Sequence, residues 1–375
     1  MWYKRIYETR KDYLQKGKVN LLYGPRRVGK TALLKNLINK IETKVFIGEG
    51  DDIQLRQILS SNDKNRILSA LQDYDYIFID EAQRIPDVGW GLKILVDNLP
   101  KSIIIASGSS SFQLSSQVGA PLTGRSITSM LFPISIIELK QQFGGMHILQ
   151  ELENYLIFGM YPELLNTKNN KDKTSYLIEL RNSYLLKDIL ELENIRNADK
   201  MFDLLRLIAF QIGDEVSLNE LGNSLGIAKQ TVARYLDLLE KAFIIKKIGG
   251  FSKNLRKEIT KTSRYYFFDN GIRNAIINNF NPIEQRNDIG MLWENFLVME
   301  RIKKQHYHQI YSNNYFWRTY DQKEVDFVEE RDGKLFGFEF KWKAKKTKIQ
   351  QEWLDTYDNA SFEIINKDNF LTFLS

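Results

Sequence analysis

The feature that most narrows the fold is the loop Gly24-Pro25-Arg26-Arg27-Val28-Gly29-Lys30-Thr31. It sits between the apolar run Val19-Asn-Leu-Leu-Tyr23 and the helical pattern Ala32-Leu-Leu-Lys-Asn-Leu-Ile38. Glycines at its ends let the backbone wrap so that N–H groups and the start of the next helix face a chain of phosphates. Lys30 is then placed to reach the β and γ oxygens, and the Thr31 hydroxyl to reach Mg²⁺. The spacing predicts ATP with Mg²⁺, held by Gly24, Pro25, Arg26, Arg27, Val28, Gly29, Lys30, Thr31 and Ala32. Strands alternate with helical stretches from residue 19 to about 135, which predicts a parallel sheet covered on both faces, with ligand at the carboxyl ends of the strands.

A phosphate loop of this kind calls for a second apolar strand ending in an acid, and Asp75-Tyr-Ile-Phe-Ile-Asp-Glu81 meets that need. Asp80 is expected to hold Mg²⁺ through its water shell, and Glu81 to polarise an attacking water. A third strand, Ser102-Ile-Ile-Ile-Ala106, runs into Ser107-Gly-Ser-Ser-Ser111, where Ser109 is the residue chosen to feel the γ-phosphate. Ordinary turn chemistry explains a serine cluster equally well. Arg125 stands just before a last strand, Ile127 to Leu131. It reads either as an arginine that stabilises transition-state charge, in cis or across a subunit boundary, or as half of a surface ion pair.

The strings GPRRVGKT, YIFIDEAQRIP, IIASGSSS and LTGRSITSMLFPIS resemble the AAA-type ATPase family of bacteria and archaea whose ATPase domain precedes a C-terminal domain of unknown function. Through Phe158-Gly-Met-Tyr-Pro-Glu163 and Tyr184-Leu-Leu-Lys-Asp-Ile189 the resemblance covers nearly the whole chain. It implies an ASCE-type P-loop ATPase in which Lys30 and Thr31 bind phosphate and Mg²⁺ while Asp80 and Glu81 serve hydrolysis.

Beyond the loop the apolar spacing is helical from Leu152 to about Glu193, as in the small lid such ATPases carry. Lys200 to Phe210 reads as an amphipathic helix, Ser217-Leu-Asn-Glu220 as a capping box opening a second, and Ala228 to Leu239 as a third, with a turn at Leu225-Gly-Ile227. Two strand candidates follow, Phe243 to Ile248 and Arg264 to Phe268, completing a winged helix-turn-helix pattern. Its third helix would present Lys229, Gln230, Thr231 and Arg234, types that reach phosphates and base edges. Lys246, Lys247, Lys253, Arg256, Lys257 and Lys261 surround the wing. They add phosphate-directed charge or form a solvated face; winged helices also dock on proteins.

The C-terminal stretch holds a second constellation. Met291 to Met299 reads as a buried helix with one acid, Glu294, and Phe316-Trp-Arg318 as a strand. Glu324 to Val328 and Leu335 to Lys341 read as a hairpin turning at Arg331-Asp-Gly333. Alternation aims Asp326 one way, and Glu339 and Lys341 onto a common face. This order resembles the PD-(D/E)xK nuclease superfamily, in which Asp326 and Glu339 would bind Mg²⁺, Lys341 would activate water and Glu294 would assist. Val325 stands where that pattern carries proline. His306 and His308 lie two apart on a strand-like segment and would share a face.

The expected architecture is α/β: a P-loop ASCE/AAA+ core over 1–148, a helical lid over 149–195, a winged helix over 196–275 and a restriction-endonuclease-like domain over 276–375. With no cysteine and three histidines, disulfides, thiol nucleophiles and cysteine or histidine-rich metal sites are excluded. The net charge of +6 and the lysine-rich run from Lys334 to Lys348 suit DNA. Apolar runs are too short for a membrane span and the first residues lack a signal-peptide core, so a cytoplasmic protein is expected. The expected partners are DNA and, if Arg125 acts in trans, further copies of the chain arranged in a ring; the alternative is a protein partner.

Overall fold

A computed structural model of the chain describes residues 1–10, 13–109, 119–182, 197–252, 262–319, 323–343 and 351–375. It divides into two compact units. One comprises Trp2–Pro133 with Lys241–Phe243, the other Met1 with Ile134–Glu240 and Ile244–Ser375.

Among the described residues, the first unit is a five-stranded parallel sheet with its helices. In chain order it contains β1 (Val19–Tyr23), α1 (Lys30–Ile38), β2 (Val45–Glu49), α2 (Ile53–Leu59), α3 (Lys64–Leu71), β3 (Tyr76–Asp80), α4 (Val88–Asn98), β4 (Ile103–Gly108) and β5 (Ser126–Met130). All five residues of β1 and all six of β4 are buried, which is the pattern of strands covered on both faces. The sheet runs β2-β3-β4-β1-β5. Leu21 of β1 and Ile79 of β3 therefore both pair with Ala106 of β4, which separates the phosphate loop from the acid-tipped strand by one strand's width. Helices α2 and α3 start where the sequence supplies caps: Asp52 accepts from the Gln54 and Leu55 N–H groups, and Asp63 from those of Asn65 and Arg66.

The second unit begins with α5 (Ile136–Phe143), α6 (Gly145–Phe158), α7 (Pro162–Asn166) and α8 (Asn170–Leu180). There follow α9 (Ala198–Phe210), β6 (Glu215–Val216), α10 (Leu218–Leu225), α11 (Lys229–Lys241), β7 (Ile245–Gly250), β8 (Ser263–Phe267), α12 (Asn270–Ile276) and α13 (Ile289–Tyr307). The chain ends with β9 (Asn313–Arg318), β10 (Glu324–Arg331), β11 (Lys334–Phe340), α14 (Gln351–Thr356), β12 (Ala360–Ile365) and α15 (Phe370–Leu374). Among the described residues, seven strands form one sheet in the order β12-β11-β10-β9-β7-β8-β6. The parallel pairs Gly249↔Tyr315 and Gly250↔Phe316 join the β7–β8 hairpin to the later strands, so residues on both sides of position 275 share a sheet. Phe251, Trp317, Val325, Val328, Leu335, Trp353 and Tyr357 pack as its core.

Gly159-Met-Tyr-Pro162 acquires a structural role here. The Met160 N–H donates to Asp269 Oδ2 at 2.7 Å, and Asp269 also caps α12. Gly159 has φ +77, and a Cβ there would lie 1.8 Å from Asp269 Oδ1, so no larger residue fits that approach. The histidine expectation needs correction. His306 lies in the last turn of α13 and His308 caps it; two steps along a helix turn side chains about 200° apart, off any common face.

Ser110, Ser111, Tyr184 to Ile189, Lys253, Arg256, Lys257, Lys261, Lys345, Lys346 and Lys348 lie outside the described residues. Among the described residues no helix is long and apolar enough to cross a membrane.

Candidate nucleotide site and two further clusters

The phosphate loop takes its shape from two glycines in conformations L side chains rarely adopt. Gly29, at φ +95, ends the loop and starts α1 at Lys30. Gly24 lies at φ +152, where a Cβ would stand 2.0 Å from the Leu131 carbonyl oxygen. The loop is therefore pressed against the chain leaving β5. Lys30 is buried, with Nζ donating to the Gly24 and Pro25 carbonyls at 2.8 and 2.9 Å. Arg27, Thr31 and Ala32 are exposed on the open side, whereas Val28 is fully buried behind it.

Because β4 lies between β1 and β3, three strand ends converge. The Thr31 hydroxyl donates to Asp80 Oδ2 at 2.5 Å, and Ser107 at the end of β4 donates to Asp80 Oδ1. Glu81 takes φ +47, a left-handed turn that reverses the chain directly after Asp80, and its N–H donates to Asp80 Oδ1 at 3.0 Å. Its carboxylate accepts from Gln83 Nε2 and, at 3.4 Å, from the Ser109 hydroxyl. Gly50 makes this turn possible: a Cβ there would lie 2.2 Å from the Glu81 carbonyl oxygen. Hard oxygen donors from Thr31 and Asp80 meeting at one point suit Mg²⁺.

The structure thus brings Lys30, Thr31, Asp80, Glu81 and Ser109 together within the first unit. Arg125 is placed elsewhere: its Nε donates to Asp97 Oδ1 at 2.7 Å, with both side chains about 40% exposed at 41% and 39%. Sequence reasoning missed Ser107 and Gln83, although the first belongs to the quoted serine cluster and the second to the quoted string YIFIDEAQRIP.

On α11, Lys229, Gln230 and Arg234 are exposed and Thr231 is half-buried, while Val232, Tyr235, Leu236, Leu238 and Leu239 face inward. Gly226, at φ +65, ends α10, and the Ser217 hydroxyl accepts from the Glu220 N–H at its start. The capping reading at Ser217 and the turn at Gly226 are local, which is why the sequence displays them.

In the C-terminal cluster the pair Phe327↔Phe338 carries Asp326 opposite Glu339. The two therefore share a face, because directly opposed residues of an antiparallel pair point the same way. Asp326 Oδ2 accepts from the Phe340 N–H at 2.8 Å, and Lys341 Nζ lies 2.7 Å from Glu339 Oε1. Glu294 accepts from the Tyr266 hydroxyl at 2.7 Å. Into this group comes a residue the sequence did not single out: Arg264 of β8, whose Nη2 reaches Glu324 at 2.8 Å and whose Nη1 lies 3.6 Å from Glu294 and 3.9 Å from Asp326. The guanidinium stacks on Phe316 at 4.6 Å. Burial, then repulsion from Asp326, pushes the Glu294 carboxyl up to about 8; burial, then Glu339, pushes Asp326 up to about 6. Glu339 Oε2 is buried without a hydrogen-bond partner. Among the described residues no group of three or more acids or histidines is arranged to hold a metal ion.

Comparison with known proteins follows this division. Residues 16–140 match the model of an AAA domain, which supports an ATPase. Residues 149–282 and 289–365 match two domains of unknown function, DUF8612 and DUF4143. An uncharacterized protein of Mycobacterium tuberculosis is 28% identical over 88% of this chain and 71% of its own. An uncharacterized protein of Methanocaldococcus jannaschii is 24% identical over 83% of this chain and 72% of its own. A crystal structure of a DNA replication initiation factor overlaps 59% of this chain and 81% of its own at 19% identity, with a TM-score of 0.22.

Proposed function

We propose that this chain hydrolyses ATP with Mg²⁺ where β1, β4 and β3 end, and that hydrolysis drives an action on DNA as a motor, clamp or remodeller. The observation that carries the first half is the meeting of Thr31 with Asp80 at 2.5 Å, beside Glu81 and behind the glycine loop. Thr31 and Asp80 would hold Mg²⁺, which neutralises charge on the phosphates when bound. Lys30 would turn from the loop carbonyls to phosphate oxygens, and the loop amides would cradle the remainder. Glu81 would orient and deprotonate the attacking water, with Gln83 and Ser109 holding its carboxylate. Arg125 would reach a neighbouring subunit in a ring, exchanging its exposed Asp97 partner for phosphate.

The DNA half rests on the exposed Lys229, Gln230 and Arg234 of α11, read as the recognition helix of a winged helix over 196–275 whose wing is β7 and β8. A second reading, ATP-gated cleavage of DNA by Glu294, Asp326, Glu339 and Lys341, is favoured by the unpartnered Glu339 oxygen. Arg264 weighs against it, because that cation already engages the Glu324 and Glu294 side of the cluster.

The test is ATP turnover with and without single-stranded, duplex and branched DNA at two salt concentrations, with Glu81→Gln as blank. Stimulation by one DNA form that fades with salt supports the DNA reading. Unchanged turnover would replace it with a nucleotide-dependent switch that contacts proteins. Metal-dependent DNA cleavage lost in Asp326→Ala and Lys341→Ala would promote the nuclease reading.

A further inference from the structure

We infer that Arg5, ahead of the whole motif, is a positioning residue of the nucleotide site: it holds the Val28–Gly29 peptide so that the Gly29 N–H is presented to phosphate. The inference rests on the nucleotide reading above.

Arg5 is 3% exposed. Its Nη1 donates to the Val28 carbonyl at 2.7 Å and its Nη2 to the Phe132 carbonyl at 2.6 Å. In a trans peptide the carbonyl oxygen and the following N–H lie on opposite sides of one rigid plane. Fixing the Val28 oxygen on Arg5 therefore turns the Gly29 N–H away from Arg5. The control is needed at this peptide more than at its neighbours. Gly29 has no Cβ, its φ is +95, and Arg5 Nη1 is the nearest atom to the place a Cβ would occupy, at 3.9 Å. A glycine so loosely surrounded lets its peptide plane rotate at little steric cost. A charged donor on the oxygen opposes that rotation and polarises the amide toward an anion.

The second arm fixes the loop against the sheet. Phe132 follows Leu131, whose N–H donates to the Tyr23 carbonyl at 2.7 Å and whose own carbonyl is pressed against Gly24. One guanidinium thus ties the fifth residue of the loop to the chain that abuts its first. The segment around Arg5 is itself anchored. Glu8 accepts from the Arg5 N–H at 2.9 Å and from Asn36 of α1 at 2.5 Å, and the Tyr7 hydroxyl donates to the Met130 carbonyl at 2.9 Å. The bland alternative is that Arg5 only fastens the N-terminal segment to the domain. That alternative predicts lost stability with no selective change in phosphate recognition.

The deciding measurement is equilibrium binding of ADP and AMP, with Mg²⁺, to the full chain carrying Arg5→Met, Arg5→Gln or Arg5→Lys. The loop amides grip the α and β phosphates, so the ratio of the two Kd values reads the β-phosphate grip separately from general stability. Arg5→Met is expected to weaken ADP about tenfold and AMP much less, the size of one charge-assisted hydrogen bond. Arg5→Lys, which keeps the charge without the fork, should recover part of the ratio. Should Arg5→Met fail to fold, Arg5→Gln, with one neutral donor group, carries the same test. A folded Arg5→Met or Arg5→Gln protein with the wild-type ratio overturns the inference, whether both affinities are unchanged or fall together. Wild-type protein that binds neither nucleotide refutes the nucleotide reading itself.

Discussion

Glu294 offers a test of the C-terminal cluster that needs no substrate. Its carboxyl lies among Asp326, Glu324, Tyr266 and Arg264, and burial with repulsion from Asp326 pushes it up to about 8. The folded chain then holds that proton more tightly than the unfolded chain, whose carboxyl titrates near 4.5. Stability from this group is therefore complete below about pH 4.5 and is lost as pH rises through about 8. At roughly 1.4 kcal/mol per pH unit of displacement, and with the side chain still 17% exposed, the loss is on the order of 2–4 kcal/mol. Glu294→Gln keeps an oxygen for the Tyr266 hydroxyl at nearly the same shape and cannot ionise. Thermal melts from pH 4 to pH 9 should show the two proteins together at pH 4. At pH 9 the variant should melt roughly 5–10 °C higher, for a unit of about 200 residues or more. Parallel curves would refute the burial argument. A variant less stable at pH 9 would mean that the ionised carboxylate is held by Arg264 and that the pair stabilises the fold.

Three further outcomes are expected. Lys30→Ala should abolish nucleotide binding, whereas Glu81→Gln should bind ATP without turning it over; full turnover by either refutes the assigned roles. Gly50→Ala places a methyl 2.2 Å from the Glu81 carbonyl, so that turn must move by about an ångström. Turnover should fall about 10²-fold while ADP affinity holds, and unchanged turnover would mean that the Glu81 turn does not set the geometry of the reaction. If Arg125 acts across a subunit boundary, turnover per chain rises with protein concentration, and Arg125→Ala removes that rise while Asp97→Ala does not. A nucleotide-independent monomer in analytical ultracentrifugation would rule out the ring.

The candidate site was legible where it is local. Strand, glycine loop, Lys30 and Thr31 follow one another without interruption, as do the apolar run and Asp80-Glu81, because strand periodicity and loop dihedrals are set by adjacent residues. The hairpin at Asp332-Gly333 was legible for the same reason: both residues take positive φ, at +51 and +69, as a tight two-residue turn requires. His306 and His308 were misread because a short polar stretch carries no period able to separate a helix end from a strand.

What the sequence by itself determined, then, is the set of local pieces and the order in which they occur. Tertiary structure decided which pieces meet. Placing β4 between β1 and β3 brings Ser107 onto Asp80, 27 residues away. Packing β8 against α13, in the sheet that also carries β10, sets Arg264 among acids 30 to 62 positions further on. Docking the N-terminal segment lets Arg5 bridge Val28 and Phe132, the latter 127 residues distant. A buried cation or hydroxyl is drawn to whatever carboxylate or carbonyl the packing leaves unsatisfied. That demand arises only when separate elements close on one another, so no run of neighbouring residues records it.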